Sequence, residues 1–109
     1  MNNLNSLILE GVVSDAPVVR ENNYGRKESV FQIGVTRVYK DKDGKAKEDK
    51  SYFDCICNDI MCDSVAKNAT VGKKIRVVGR LKQNRYKDAD GKLCAKVVVI
   101  CEHVEYRVA

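Results

Sequence analysis

The chain has no tryptophan, one histidine (His103), and no apolar run of the roughly 18 residues that a membrane-crossing helix takes. Its first residues, MNNLNSLILEG, lack both the basic start and the long apolar segment of a secretory leader. A cytoplasmic protein that does not engage a membrane is expected. A Cys–His nucleophile is not indicated, because the single His lies far along the chain and no orienting acid or glycine-rich loop accompanies it. No enzymatic activity is predicted. The five cysteines, Cys55, Cys57, Cys62, Cys94 and Cys101, are odd in number and mostly lie in apolar segments, which fits reduced core thiols better than a disulfide framework. Cys55 and Cys57 alternate beside Phe53 on one strand face and do not form the repeated close pairs of a zinc site. Cys55, Cys57, Cys62 and His103 are therefore not expected to hold metal, and no cofactor is implied. No repeat, low-complexity tract or linker is evident.

What the chain does have is positive charge in one place. Its 109 residues and 44% hydrophobic content suit one domain, residues 1–109, with one modest core. A net charge of +5 and a pI near 9.0 favour an acidic partner, nucleic acid or an anionic surface. From Val71 to Lys87 there are seven Lys or Arg and no Asp or Glu. Read with period two, Ile75, Val77, Gly79 and Leu81 share one face of this stretch. Lys74, Arg76, Val78, Arg80, Lys82, Asn84 and Tyr86 share the other. The reading is a half-buried strand whose exposed face is basic and ends in an aromatic ring.

Around it, Leu4 to Val13 reads as a first strand, with Leu7, Leu9 and Gly11 opposed to Ile8, Glu10 and Val12. Gly11 marks a bulge or bend, as a strand serving two sides of a barrel needs. Ser14 to Ser29 reads as a hairpin with a basic tip. Val30 to Tyr39 is a second strand with Phe31, Ile33 and Val35 inward. Its alternation fails at Arg37, where the strand is expected to bulge or leave the barrel, letting Tyr39 face outward. Lys40 to Lys50, with Asp43-Gly44, is a long charged tip. Ser51 to Cys57 is a third strand, with Tyr52, Asp54 and Ile56 opposed to Phe53, Cys55 and Cys57. Asn58 or Asp59 is expected to cap a short helix using Ile60, Met61, Val65, Ala66 and Ala69, ended by Val71-Gly72. After the basic strand and Asp90-Gly91 comes a last strand, Leu93 to Tyr106. It is apolar on both faces near Val98 and Ile100, which suggests a subunit interface there.

Three strands, a short helix and two more strands are the layout of an all-β, five-stranded Greek-key OB-fold barrel, with the helix between strands 3 and 4. With that layout, four segments together resemble the bacterial single-stranded DNA-binding proteins. They are Asn5-Ser6-Leu7-Ile8-Leu9-Glu10-Gly11, Phe31-Gln32-Ile33-Gly34-Val35-Thr36-Arg37, Tyr52-Phe53-Asp54-Cys55-Ile56, and Gly72 followed by Val77-Val78-Gly79-Arg80-Leu81 and Tyr86.

The resemblance implies sequence-independent binding of single-stranded DNA in replication, repair or recombination, by a homotetramer or less often a dimer, without a cofactor. It assigns Tyr39, Tyr52 and Tyr86 to base-stacking positions. The family's fourth aromatic falls at Asn58, which does not stack comparably, and Asp54 stands where a basic residue is common. The expected phosphate contacts are Arg76, Arg80 and Lys82, with Lys74 on the same face and Arg37 on the second strand. The sequence stops at Ala109 without the acidic-tipped tail that recruits replication and repair partners, so that recruitment is not predicted. Two other readings stay open: an interaction protein such as a primosomal adaptor, and single-stranded RNA binding.

Overall fold

The computed structural model describes residues 1–108; the expected tail-less end at Ala109 lies outside them. In chain order the elements are β1 (Leu7–Glu21), β2 (Lys27–Lys40), β3 (Ala46–Asn58), α1 (Met61–Asn68), β4 (Lys74–Lys87) and β5 (Leu93–Glu105). The strands close into a barrel in the spatial order β1-β2-β3-β5-β4. Every neighbouring pair is antiparallel except β3 with β5. The five-stranded barrel and the helix between β3 and β4 are those expected from the order of apolar alternations.

β1 serves two walls. Leu7 to Val12 pair with β4, and Val12 to Glu21 pair with β2. The change of partner occurs beside Gly11, where a Cβ would stand 2.5 Å from the Gly34 carbonyl oxygen. Only glycine lets the two backbones approach so closely. β1 then runs on to Glu21, so most of the segment expected as a turn after Ser14 is paired strand. Pro17 is accommodated because the register slips between Asp15 and Val18, where the ladder does not need its missing N–H.

All three hairpin turns use one device. The side chains of Asn22, Asp41 and Asp88 each accept backbone N–H bonds from the residues two and four positions on, at 2.9–3.0 Å. A glycine with positive φ follows three positions after each, at Gly25, Gly44 and Gly91. The turns are consequently short, and Lys40 to Lys50 is mostly a paired ribbon.

β2 and β3 pair without a slip from Glu28 with Asn58 to Lys40 with Ala46, so there is no bulge at Arg37. Beyond Val35 the ribbon leaves the barrel and both its faces are exposed. The β4–β5 hairpin overruns the barrel in the same way, leaving Leu81 47% exposed where the alternation had placed it in the core.

The core proper holds Phe31, Ile33, Ile75, Val77 and Val99, with Cys55, Cys57 and Cys101. These thiols are free and buried, as is Cys62, while Cys94 is half-buried on the outer hairpin. Hydrogen bonding with Cys55 and Cys57, and then burial, holds the Cys101 thiol far above its ordinary range. Burial likewise raises Cys62, which donates to the Cys57 carbonyl at 3.2 Å. The buried thiols serve as packing material.

α1 closes one end of the barrel with Cys62, Val65 and Ala69. The expected cap does not form: Asp59 has φ 54, Ile60 occupies the N-cap position without a side-chain bond, and Ile60 and Ala66 are exposed. Val98 and Ile100 correct another expectation. They are 3% and 6% exposed within one chain, packed with Ile56 and Val30 on the outer side of the sheet. The double apolarity of β5 is satisfied inside the chain, so it does not indicate an interface. Among the described residues no helix is long and apolar enough to cross a membrane.

Candidate nucleic-acid interface

The register across β2, β3, β5 and β4 defines one outer surface. Gly34 pairs with Tyr52, Gln32 with Asp54, and Val30 with Ile56. Ile56 pairs in turn with Ile100, and Ile100 with Arg80. Val98 faces Lys82, Lys96 faces Asn84, and Cys94 faces Tyr86. Because side chains alternate between faces, Tyr52, Tyr86, Arg80 and Lys82 all project from this surface. The Asp54–Lys96 ion pair, which spans β3 and β5, shows the same sidedness.

Tyr52 lies down on the sheet. A Cβ at Gly34 would be 3.1 Å from its Cε1 and 3.4 Å from its Cδ1, so the ring occupies the space that a side chain at Gly34 would need. Tyr52 is nevertheless 56% exposed, and Tyr86 is 52% exposed. Each presents exposed aromatic surface on the sheet that also carries Arg80 and Lys82.

The predicted cations divide into two groups. Arg80 and Lys82 are exposed, and neither is ion-paired among the described residues. Arg76 is different: it bonds Glu10 at 3.2 Å and Glu105 at 3.1 Å, clamping β4 between β1 and β5. Its charge is thus shared with two carboxylates, unlike that of Arg80 or Lys82. Lys74 sits beside Val12 on the same β1–β4 wall, at the opposite end of β4 from Tyr86. Tyr39 and Arg37 fall elsewhere again. The unbroken β2–β3 register keeps them in phase with Phe31, Ile33 and Val35, on the opposite face of the ribbon from Tyr52. Arg37 lies over the Tyr39 ring, 5.4 Å from its centroid.

Beside the tyrosine surface is a basin of about 660 Å³ between the β1–β2 turn and the outer part of β4. Ile56 and Ile100 line it, with Arg20, Arg26, Lys82 and Arg85 around them and Tyr24 at the turn. Arg20 is bonded to Glu28 at 2.7 Å and Arg26 to Asp59 at 3.5 Å. Asn58, at the expected fourth aromatic position, also lines this basin. The sequence flagged the β1–β2 turn as basic, but no local pattern ties it to β4, some sixty residues further on. His103 lies on the outer side of β5, 3.5 Å from Glu105 and in the opposite phase to the core thiols.

Comparison with known proteins identifies the family of the fold. Residues 4–107 match the model of the single-strand binding protein family. The chain is 25% identical over 103 residues to a single-stranded DNA-binding protein of Fusobacterium nucleatum, covering 94% of this chain and 66% of that one. It is 29% identical over 101 residues to a single-stranded DNA-binding protein of Aquifex aeolicus, covering 93% and 68%. The chain thus spans about two-thirds of the length of these relatives. Its fold matches that of the Plasmodium falciparum SSB solved in complex with single-stranded DNA, with a TM-score of 0.82 at 19% identity over 96% of this chain and 94% of the other. With a family match covering almost every residue of a barrel of this kind, the chain belongs to the single-strand binding protein family.

Proposed function

We propose that the protein coats single-stranded DNA with broad sequence tolerance, in replication, repair or recombination, acting as a binding protein of the cytoplasm and not as an enzyme. The observation that carries this reading is the pair of half-exposed rings, Tyr52 and Tyr86, on one outer surface with the unpaired cations Arg80 and Lys82. Stacking is worth roughly 1 to 3 kcal/mol per base and accepts any base, while cations follow the phosphates. Bases paired in a duplex have no free face for such rings. Strand over duplex is therefore the expected preference.

Assembly into a homotetramer or dimer is part of the proposal, and the β1–β4 wall supports it better than β5. Ile8, 67% exposed, stands beside Val78 there, with Val12 further along the same face of β1. The function is tested by tyrosine emission, the chain having no tryptophan. Titration with poly(dT) is expected to quench it to saturation, and duplex DNA of equal length to leave it nearly unchanged. Equal affinity for duplex and single strand would overturn the reading, and tighter binding of poly(U) would move it to RNA.

A further inference from the structure

The stacking surface is sequence-tolerant, but one group on it is not chemically indifferent to the base it meets. Asp54 follows Tyr52 by two residues on the same face of β3, about 7 Å along the strand. A base lying on the Tyr52 ring extends its hydrogen-bonding edge along the sheet, within reach of that carboxylate. Resting on the single-strand-binding reading above, we infer that Asp54 reads the base stacked on Tyr52 and favours guanine there.

The carboxylate is held in place. Its Oδ1 accepts from Gln32 Nε2 at 3.2 Å, and Gln32 Oε1 in turn accepts from Ser14 Oγ at 3.1 Å. Its Oδ2 pairs with Lys96. The side chain keeps 22% of its surface exposed, so it is both oriented and reachable. An ionised carboxylate only accepts, and each oxygen keeps lone-pair capacity beyond its present partner. Guanine offers two adjacent donors, N1–H and the N2 amine, which match two carboxylate oxygens. Cytosine and adenine offer one amino group. Thymine offers one N–H between two carbonyls, which a carboxylate repels. A carboxylate at this position repels phosphate but accepts from a base edge.

The test uses the whole chain and thymine oligonucleotides of one length that carry a single central guanine, inosine or 7-deazaguanine, each competing against a labelled all-thymine strand. The guanine strand is expected to bind about tenfold tighter than the all-thymine strand. 7-Deazaguanine, whose N1 and N2 donors are intact, keeps that advantage, and inosine, which lacks the N2 amine, loses most of it. Asp54→Asn is expected to abolish the advantage while binding the all-thymine strand at least as well as wild type, because Lys96 is released. Equal binding of all four strands by wild type overturns the inference and leaves single-strand binding standing. An advantage that survives in Asp54→Asn, or a preference for thymine, also overturns it. Retention of no strand at all overturns both readings. The four strands test the wild-type chain directly, so the result does not depend on how well the variant folds.

Discussion

Tyr52 and Tyr86 are similarly exposed, yet they rest on different supports. Tyr52 is laid flat by the space above Gly34, whereas Tyr86 stands at the outer end of β4 between Arg85 and Lys87. Tyr86→Ala is expected to cost on the order of 1 to 3 kcal/mol of affinity for poly(dT), and Tyr52→Ala somewhat less because Asp54 opposes the phosphates there. Gly34→Val should mimic Tyr52→Ala, since the added branches lift the ring from the sheet. Tyr39→Ala should cost least of the three predicted tyrosines, because its ring is on the other face of the ribbon. Fluorescence titration of the folded variants checks these rankings, and a Tyr24→Ala loss equal to that of Tyr86→Ala would move the principal contact to the basin. At this scale the sequence was legible where alternation alone decides, as at Tyr52 and Tyr86. It misled at Arg37, where the expected break is a ribbon overrunning the barrel with its phase intact, so Tyr39 lies on the other face of the ribbon from Tyr52. Nor could it show that Arg76 shares its charge with two carboxylates, since its partners lie 66 and 29 residues away.

Within β4 one alternating face carries two kinds of cation. Replacing Arg80 or Lys82 with Ala is expected to weaken all strands alike and to flatten the salt dependence of binding by about one unit of slope. Arg76→Ala should leave that slope nearly unchanged and lower stability instead, by about 0.5 to 1 kcal/mol, because its two pairs are part-exposed and screened. Salt titrations beside denaturant melts of the three variants separate the two outcomes. The turns show a different kind of legibility. The pattern of Asn or Asp, then two residues, then Gly occurs at Asn22, Asp41 and Asp88, and reading the three together would have placed the turns tightly from the start. Charge and glycine content blurred them into long loops, since paired, exposed ribbons are as polar as loops are. Apolar spacing marks the helix but not its orientation: Ile60 lies outside it, and Cys62 takes the inward position.

For the molecule as a whole, the barrel was legible because five alternations and one helix leave few ways to close, while its walls were not, since each wall is built from distant strands. The apolar positions that matter for assembly show this. Ile8→Glu, on the exposed β1–β4 wall, is expected to yield smaller species by light scattering with little loss of thermal stability. Ile100→Glu, buried against Ile56 and Val98, is expected to unfold the chain, because a carboxylate there has no partner. A wild type that is already monomeric at micromolar concentration would remove the assembly from the proposal. The double duty of β1 also bears on how the chain is made. Its first half pairs only with β4, roughly sixty to seventy residues later in the sequence. At about 5 to 20 residues per second, a ribosome needs several seconds to deliver that partner. Throughout that interval Leu7, Ile8 and Leu9 have no β4 to pair with, so the pace of translation sets the earliest moment at which the barrel can seal.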